Sequence, residues 1–357
     1  MNAAMNAEPS APAYLRNAWY ATAWSPDLGT NPIARVICEE EIVLYRKADG
    51  SVVAIGNRCP HRFVELHRGK VVGDNIQCPY HGLQFNASGA CAHNPYGSNL
   101  PAAAKVRSYP VEERHLLIWL WMGDPAKADP ALIPNFSILT DPGYAAVYGS
   151  IEIAGDYQLY SDNLMDLSHT EYVHSFQEPN SLDRSTSDAR MDGETVLFTR
   201  EFPEEPAVGP LHTLFCESMG GKRGDLVRIS QSVRWIAPAN MWFKAKQTYG
   251  EKSVSLSALH IAAPTRRGHS QLLWSGVRDF CIGDDALSER LRTTLKRVIS
   301  TEDVPPIESQ QTHVRNRDFF SLRPVLLPTD TAPVLARRAL ERMIRAEQAE
   351  ATPAGAG

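Results

Sequence analysis

The sequence has no run of about 18 apolar residues, the length that a helix needs to cross a bilayer. It has no excess of positive charge either, because 36 Lys and Arg stand against 41 Asp and Glu, for a net charge of -5. A phosphate-binding surface needs the opposite balance. These absences predict a globular protein without a membrane span and without a nucleic-acid partner.

A secretory signal is missing as well, since residues 1–13 are rich in Ala, Asn and Pro and lack a charged segment followed by an apolar one. We expect a disordered lead-in at 1–13 and a disordered tail at 351–357. Six cysteines among 357 residues do not suggest a disulfide framework, so we predict thiols in the reducing cytoplasm. Three of these cysteines are expected to be small buried side chains: Cys38, Cys216 and Cys281.

The first third of the chain has the pattern of a small, strand-rich domain. Two apolar runs, Ile42–Tyr45 and Val52–Ile55, flank the turn residues 48–50, which predicts a hairpin. Strand and turn signals continue as far as Gly123-Asp124-Pro125. We therefore place one domain at 14–125 and a second, larger domain at 130–350.

The second domain mixes strand and helix patterns, which makes the predicted fold class α+β. Segments 179–190 and 202–221 have the composition of loops. The strand candidates are 151–159, 226–235, 253–262 and 271–277.

Two helices are predicted near the C-terminal end. Asp284 and Asp285 are capping candidates for a helix that runs toward Glu302 and Asp303, and Pro305-Pro306 is expected to interrupt it. Its apolar face carries Leu287, Leu291, Leu295 and Val298. A final amphipathic helix is predicted over 332–350.

Two Cys/His pairs in the first domain predict a metal site. Cys59 and His61 are followed after sixteen residues by Cys78 and His81. Zinc also accepts two cysteines and two histidines, but zinc sites usually group like ligands, whereas each pair here is mixed. A mixed pair suits a [2Fe–2S] cluster in which two thiolates hold one iron and two imidazoles hold the other.

A second candidate metal site lies in the thirteen residues 162–174, which we call the His/Asp segment. Asp166 and His169 would lie about 60° apart on an ideal helix, whereas His169 and His174 would lie about 140° apart. Both histidines can reach one metal ion only if the helix bulges or ends between them. Two imidazoles and a carboxylate are the ligand set of mononuclear non-haem iron. Local reasoning leaves the carboxylate open, with Asp166 the nearest candidate.

Together the two motifs, C-x-H-x16-C-x2-H and N-x2-D-x2-H-x4-H, resemble the oxygenase component of Rieske non-haem iron oxygenases. The local sequences at residues 16–20, 59–62 and 162–167 are similar to those of the branch that contains vanillate and dicamba O-demethylases. The resemblance implies an N-terminal antiparallel β Rieske domain. It also implies a C-terminal catalytic domain of the helix-grip, START-like kind, with an antiparallel sheet flanked by helices.

The resemblance also implies roles for individual residues. The third iron ligand would be Asp303, with Glu302 as the alternative. Asp166 would bridge His169 to His81 of the partner subunit, so that electrons cross between chains in a head-to-tail homotrimer. Asn163 would face the iron pocket.

A substrate contact is predicted at His260, which lies on an alternating strand pattern; a purely structural histidine is the alternative reading. A histidine near this position contacts the substrate carboxylate in some relatives. Thr293-Thr294 stands where some relatives place an aromatic donor, and this difference argues against a closely dicamba-like carboxylate clamp.

The expected function is that of a monooxygenase component that activates O2 at a mononuclear Fe(II) and O-demethylates a small aromatic compound. Its electrons would come from a ferredoxin or a flavin reductase. The enzymatic alternatives are N-dealkylation of an anilide or aryl amine, and hydroxylation or dioxygenation of an aromatic ring or aryl methyl group. Two further classes are an electron carrier and a zinc-binding interaction module. Iron content separates them, with about three irons per chain for an oxygenase and about two for a carrier.

Overall fold

The computed structural model describes residues 14–100, 102–174 and 181–351, and at residues 181, 182 and 351 it describes the backbone. The expected lead-in at 1–13 and residues 352–357 of the expected tail lie outside this range. The described chain forms two compact units, one built of strands and the other of strands and helices, and together they fit the predicted α+β class. Among the described residues, none of the helices is long and apolar enough to span a membrane.

The N-terminal unit comprises Arg16–Thr140 together with Ala263–Arg266. The short second piece belongs here because the N–H groups of Cys38 and Glu39 donate to the carbonyls of Pro264 and Thr265, at 2.8 Å each. The unit contains three antiparallel sheets, with strand orders β1-β10-β9, β2-β3-β4 and β5-β6-β7-β8. Its strands are β1 Trp19–Trp24, β2 Ile33–Ile37, β3 Glu40–Arg46, β4 Val52–Gly56, β5 Lys70–Val72, β6 Asn75–Gln77, β7 Gln84–Phe85, β8 Cys91–His93, β9 Val111–Arg114 and β10 Leu117–Trp121.

The predicted hairpin is confirmed as β3 and β4, with Val43 opposite Ile55 and Leu44 opposite Ala54. Gly50 takes the positive φ that its turn requires. Val43, Ile55, Ile76 and Phe85 form a buried core that also contains Cys59 and Cys78. The two Cys/His loops therefore start from well-packed strands.

The C-terminal unit comprises Asp141–Ala262, the described residues from Arg267 onward, and residues 14 and 15. Its centre is one antiparallel sheet with the order β11-β18-β17-β16-β15-β13-β12, and β14 pairs with β15 at the side. The strands are β11 Ala145–Ile153, β12 Thr186–Asp192, β13 Thr195–Glu201, β14 Glu205–Pro206, β15 Leu226–Ile236, β16 Asn240–Tyr249, β17 Lys252–Pro264 and β18 Ser270–Arg278.

Helices flank this sheet, as the resemblance implied. They are α1 Tyr157–Met165, α2 Thr170–Val173, α3 Ser181–Arg184, α4 Gly209–Ser218, α5 Asp285–Val298, α6 Val304–Val314 and α7 Thr331–Ala351. The predicted cap of α5 is confirmed, because the Asp284 carboxylate accepts from the N–H of Leu287 at 2.8 Å. Gly276 in β18 allows α5 to approach closely, since a Cβ there would lie 2.4 Å from Leu295.

Three predictions of strand and loop positions are wrong in part. The strand predicted over 151–159 ends at Ile153, because Asp156 caps α1 and Tyr157 begins it. The predicted loop 202–221 contains α4, whose proline occupies the first turn, where a helix tolerates it. The predicted loop 179–190 includes the start of β12, an edge strand whose largely exposed side chains produce no apolar alternation; residues 179 and 180 lie outside the described range.

The helix that starts at Asp285 is not interrupted at Pro305-Pro306, contrary to prediction. A π-helical turn, Ile299–Asp303, links α5 to α6, and Val304 donates to the carbonyl of Ile299. The two prolines occupy the first turn of α6, where the absence of their N–H groups disrupts little.

Cys38 and Cys216 are buried as predicted, but Cys281 is exposed. Cys281 lies in the turn between β18 and α5 and has a positive φ of 48°, so the connection holds it at the surface.

A buried ion pair joins α7 to α1. The Arg337 guanidinium contacts the Asp162 carboxylate at 2.6 Å, and their side chains are 11% and 20% exposed. Arg337 also stacks over the ring of Phe319, with 4.4 Å from Cζ to the ring centroid. Asp162 lies one turn before Asp166, so this contact braces the helix that leads into the His/Asp segment.

We expect Arg337→Met to destabilise the protein by about 3–5 kcal/mol, because it leaves the Asp162 carboxylate buried without its partner. Thermal and urea unfolding of the purified protein would measure the change. Arg345→Met is the matched control on the same helix, since Arg345 is 75% exposed and its pairing with Glu341 should contribute below about 1 kcal/mol. Equal losses in the two variants would contradict the bracing role.

Candidate metal centres

The two Cys/His loops of the N-terminal unit share one backbone pattern. Cys59 donates its N–H to the carbonyl of Val64 and accepts from Phe63, and Cys78 donates to Leu83 and accepts from Gly82. Each loop thus closes four and five residues after its cysteine. The residue four positions after the cysteine has a positive φ in both loops: 63° at Phe63 and 73° at Gly82.

This pattern brings four potential ligands together. The imidazole rings of His61 and His81 lie 4.6 Å apart between centroids. Cys59 and Cys78 are buried free thiols close enough to hydrogen-bond each other. Burial, with the Cys78 contact adding to it, raises the pKa of the Cys59 thiol to about 11, whereas an iron or zinc ion would hold it as thiolate.

A buried nitrogen at this site supports a metal cluster. The Nδ1 atom of His81 has no hydrogen-bond partner among the residues that the structure describes. A buried polar atom without a partner is costly unless a ligand completes it. The site fits a cluster held by the Sγ atoms of the two cysteines and by ring nitrogens of the two histidines.

The His/Asp segment is irregular at both ends. Helix α1 ends at Met165, Asp166 is extended, and a short 3-10 turn, Leu167–His169, leads into α2. His174 follows α2 with an extended backbone. The helix end predicted between the two histidines is confirmed at His174, and the break at Asp166 is an additional one.

Three donor atoms converge around Asp303. Oδ1 of Asp303 lies 3.4 Å from Nε2 of His169 and 3.5 Å from Nε2 of His174. The ligand atoms of these residues all lie within 4.8 Å of one another. Asp303 is 7% exposed, and within the described chain its Oδ1 accepts no hydrogen bond. Two imidazoles and a carboxylate with a free oxygen fit a mononuclear iron.

The π-helical turn sets the direction of Asp303. It adds one residue to a helical turn at Ile299–Asp303, and such turns are frequent at functional sites. The helix irregularity expected between the two histidines therefore has a counterpart at the carboxylate ligand, where the π-helical turn joins α5 to α6.

Glu302 hydrogen-bonds His174 but is not among the residues whose ligand atoms converge. Its Oε2 accepts from Nδ1 of His174 at 3.0 Å, and its Oε1 accepts from Arg297 at 2.5 Å. An Nδ1–H donated to a carboxylate leaves the lone pair of Nε2 facing Asp303. This arrangement raises the basicity of a metal-binding imidazole and fixes its orientation.

Asp166 contacts His169 through its main chain. Nδ1 of His169 lies 2.6 Å from the carbonyl oxygen of Asp166, whereas the Asp166 carboxylate accepts from the N–H of Ser168 at 2.8 Å. Arg200 donates to the carbonyl of Leu167 at 3.1 Å and supports the same turn. Asn163 is half-buried on α1, four residues before Leu167 and the turn that carries His169.

His260 lies on β17, 7% exposed, with its Nδ1 2.6 Å from the hydroxyl of Tyr160. Burial lowers the pKa of His260 to about 4, although the nearby Asp303 charge opposes the change. Burial and the same charge raise the pKa of Tyr160. Sequence reasoning missed Tyr160, Arg200 and the supporting role of Glu302, since no local pattern marks them.

The two centres define a class: an oxygenase chain with a Cys/His iron–sulfur domain followed by a mononuclear non-haem iron domain. Residues 18–110 match the Rieske [2Fe-2S] domain, and residues 153–346 match the vanillate O-demethylase oxygenase C-terminal domain. The chain belongs to this family of Rieske non-haem iron oxygenases, and it is an oxygenase component with a [2Fe–2S] cluster and a mononuclear iron as cofactors. The carrier and zinc-module readings are thereby excluded.

Individual relatives cover nearly the whole chain. The dicamba O-demethylase oxygenase component of Stenotrophomonas maltophilia is 35% identical over 94% of this chain and 99% of its own. The chloroacetanilide N-alkylformylase oxygenase component of Rhizorhabdus wittichii (strain DC-6 / KACC 16600) is 33% identical over 94% and 97%. A crystal structure of dicamba monooxygenase with non-haem iron and dicamba is similar with a TM-score of 0.80 and 32% identity, covering 95% of this chain and 99% of that one.

We expect Glu302→Gln to weaken Fe(II) binding at the mononuclear site by about 10–100-fold, because His174 loses its charged partner. Titration of iron-depleted protein with Fe(II) against a competing chelator would measure it. Glu289→Gln is the control, since Glu289 is 69% exposed on α5 and pairs with Arg292. Unchanged affinity in Glu302→Gln would assign Glu302 a purely structural role.

Proposed function

We propose that this oxygenase component removes an alkyl group from a small aromatic substrate by oxidative O-demethylation. The observation that carries the proposal is the convergence of His169, His174 and Asp303 near the buried pair of Tyr160 and His260. It is supported by the relatives, one an O-demethylase and the other an N-alkylformylase by name.

We assign the ligands as follows. Cys59 and Cys78 would hold one iron of the cluster, and His61 and His81 the other. His169, His174 and Asp303 would hold the mononuclear iron, which would supply the O2 chemistry. His260 and Asn163 would contribute to the substrate pocket.

When bound, the cluster supplies single electrons, and the mononuclear iron activates O2 for hydroxylation of a C–H bond. The net reaction uses O2, two electrons from the donor and two protons. A hydroxylated methoxy carbon forms a hemiacetal, which breaks its C–O bond to release formaldehyde and a phenol, while the second oxygen atom leaves as water. The chain's own residues position the substrate's alkyl carbon and orient the iron ligands.

N-dealkylation is the second candidate. It is favoured by the 33% identity to the chloroacetanilide N-alkylformylase component, and it needs the same hydroxylation of a carbon next to a heteroatom. The two candidates differ in the heteroatom that is released, not in the iron site.

A turnover panel with a surrogate reductase tests the proposal. Methoxybenzoates, N-alkyl anilides and aryl methyl compounds would be compared for aldehyde release, and we expect aldehyde from the first group. Ring diols or benzylic alcohols without aldehyde would instead indicate dioxygenation or hydroxylation. Asp303→Ala is the control, and it should keep the visible spectrum of the cluster, lose about one of three irons and release no aldehyde.

We also propose a head-to-tail homotrimer in which Asp166 connects the mononuclear iron to the Rieske cluster of the partner subunit. The contact of its carbonyl with His169 supports one half of this bridge. The carboxylate, which bonds Ser168 within the chain, would accept from the partner subunit's His81 through its second oxygen.

A ferredoxin or flavin reductase would deliver the electrons, with the exposed Arg58, Arg62, Arg68 and Lys70 as the docking face. The reducing cytoplasm is the expected compartment.

We expect Asp166→Asn to keep both metals and to lose most turnover. The asparagine oxygen still accepts from Ser168, so the turn survives, but the charge that would pair with the partner subunit is gone. Iron content, the rate of cluster reoxidation and product formation would be measured together. Activity close to that of the wild type would rule out the bridge.

A further inference from the structure

The partners of three imidazoles in the C-terminal unit differ in kind. Nδ1 of His169 faces a carbonyl oxygen and Nδ1 of His174 faces a carboxylate, and both partners only accept hydrogen bonds. These two rings must therefore carry their proton on Nδ1 and present a lone pair at Nε2. His260 differs, because Nδ1 of this ring faces the hydroxyl of Tyr160, which can donate.

We propose that Tyr160 is a positioning residue that holds His260 as the tautomer with its proton on Nε2, so that the pocket offers an N–H donor to an acceptor group of the substrate. This inference deepens the proposed function and rests on it. What it adds to the predicted substrate contact at His260 is the orienting hydroxyl of Tyr160.

The direction of the hydrogen bond follows from burial. Tyr160 is 1% exposed, and within the described chain its hydroxyl bonds to His260 alone. If Nδ1 carried the proton, the hydroxyl hydrogen would be buried without an acceptor, at a cost of about 1–3 kcal/mol. Donation from Tyr160 to Nδ1 avoids that cost. Within the same range His260 makes no other hydrogen bond, so Nε2 is the nitrogen left for a ligand.

The charge state of the pair agrees with this arrangement. Burial lowers the pKa of His260 to about 4 and raises the pKa of Tyr160, so both are neutral at neutral pH. A neutral imidazole has one N–H, and its position depends on the partner of the other nitrogen. The Asp303 charge opposes deprotonation of Tyr160 and favours protonation of His260. At His260 the effect of burial on the pKa is the larger one.

The position of the pair is fixed by two adjacent contacts. Tyr160 bonds His260 in β17, and the next residue, Ser161, contacts the sulfur of Met241 in β16 at 3.4 Å. Met241 and His260 are opposite each other in the strand register. Helix α1 is thereby tied to two neighbouring strands just before it enters the His/Asp segment. The imidazole and phenol rings are also stacked, with centroids 5.9 Å apart.

The test uses substrate binding without turnover. Anaerobic calorimetry on the holoenzyme would compare 3-methoxybenzoate with 3-methoxytoluene, which replaces the acceptor by a methyl group. We expect the wild type to prefer the benzoate. Tyr160→Phe should reduce that preference about tenfold, because the ring loses its orienting bond, and should leave binding of the toluene unchanged. Ser161→Ala, the control on the same helix, should keep the preference.

His260→Gln provides the second variant, since its amide N–H does not depend on a tautomer. Adding Tyr160→Phe to His260→Gln should change the preference no further. Equal affinities of the wild type for the two probes, or no binding of the benzoate, would overturn the inference. So would a Tyr160→Phe variant that weakens both probes equally, which a structural role predicts. A preserved preference without aldehyde release in the turnover panel would count against the proposed function alone.

Discussion

A buried carboxylate oxygen without a hydrogen bond is the constraint around which the C-terminal unit is arranged. Oδ1 of Asp303 lies between two imidazole nitrogens, and no N–H of the described chain reaches it. Leaving such an acceptor bare is costly, and a negative charge makes the cost larger. A bound cation removes that cost. The surrounding helices therefore hold three ligand atoms in a geometry that is complete only with a metal ion.

Regular secondary structure cannot provide this geometry. His169 and His174 would point about 140° apart on one ideal helix. The chain resolves this by changing from a 3-10 turn to α2 after His169 and by placing His174, with an extended backbone, just beyond α2. Asp303 lies at the end of a π-helical turn. Each of the three residues thus stands at an interruption of a helix, and each interruption is stabilised by contacts from elsewhere, including the Arg337–Asp162 pair and Arg200.

Features encoded by short-range pattern were predictable from the sequence. The Cys/His pairs, the β3–β4 hairpin, the cap at Asp284 and the final helix all depend on residues close together in the chain. Asp303 was reached only through resemblance, since Asp166 was the nearest carboxylate and no local signal excluded it. Tyr160 and His260 are 100 residues apart, and Glu302 is 128 residues from His174, so their pairing depends on tertiary packing. The edge strand β12 was missed because main-chain hydrogen bonds to β13 define it.

The kind of partner at Nδ1 distinguishes the histidines of this unit. A main-chain carbonyl holds His169 and a carboxylate holds His174, and both leave a lone pair at Nε2 for a cation. A main-chain carbonyl cannot be changed by substitution, so the orientation of the His169 ring depends on the shape of the turn at Asp166. The His174 ring depends instead on the charge of the Glu302 side chain. A hydroxyl at Nδ1 of His260 has the opposite consequence and keeps a proton at Nε2. The three imidazoles therefore need not compete for the same metal ion. The groups at Nδ1 of His169 and His174 accept hydrogen bonds, whereas the hydroxyl at Nδ1 of His260 donates one.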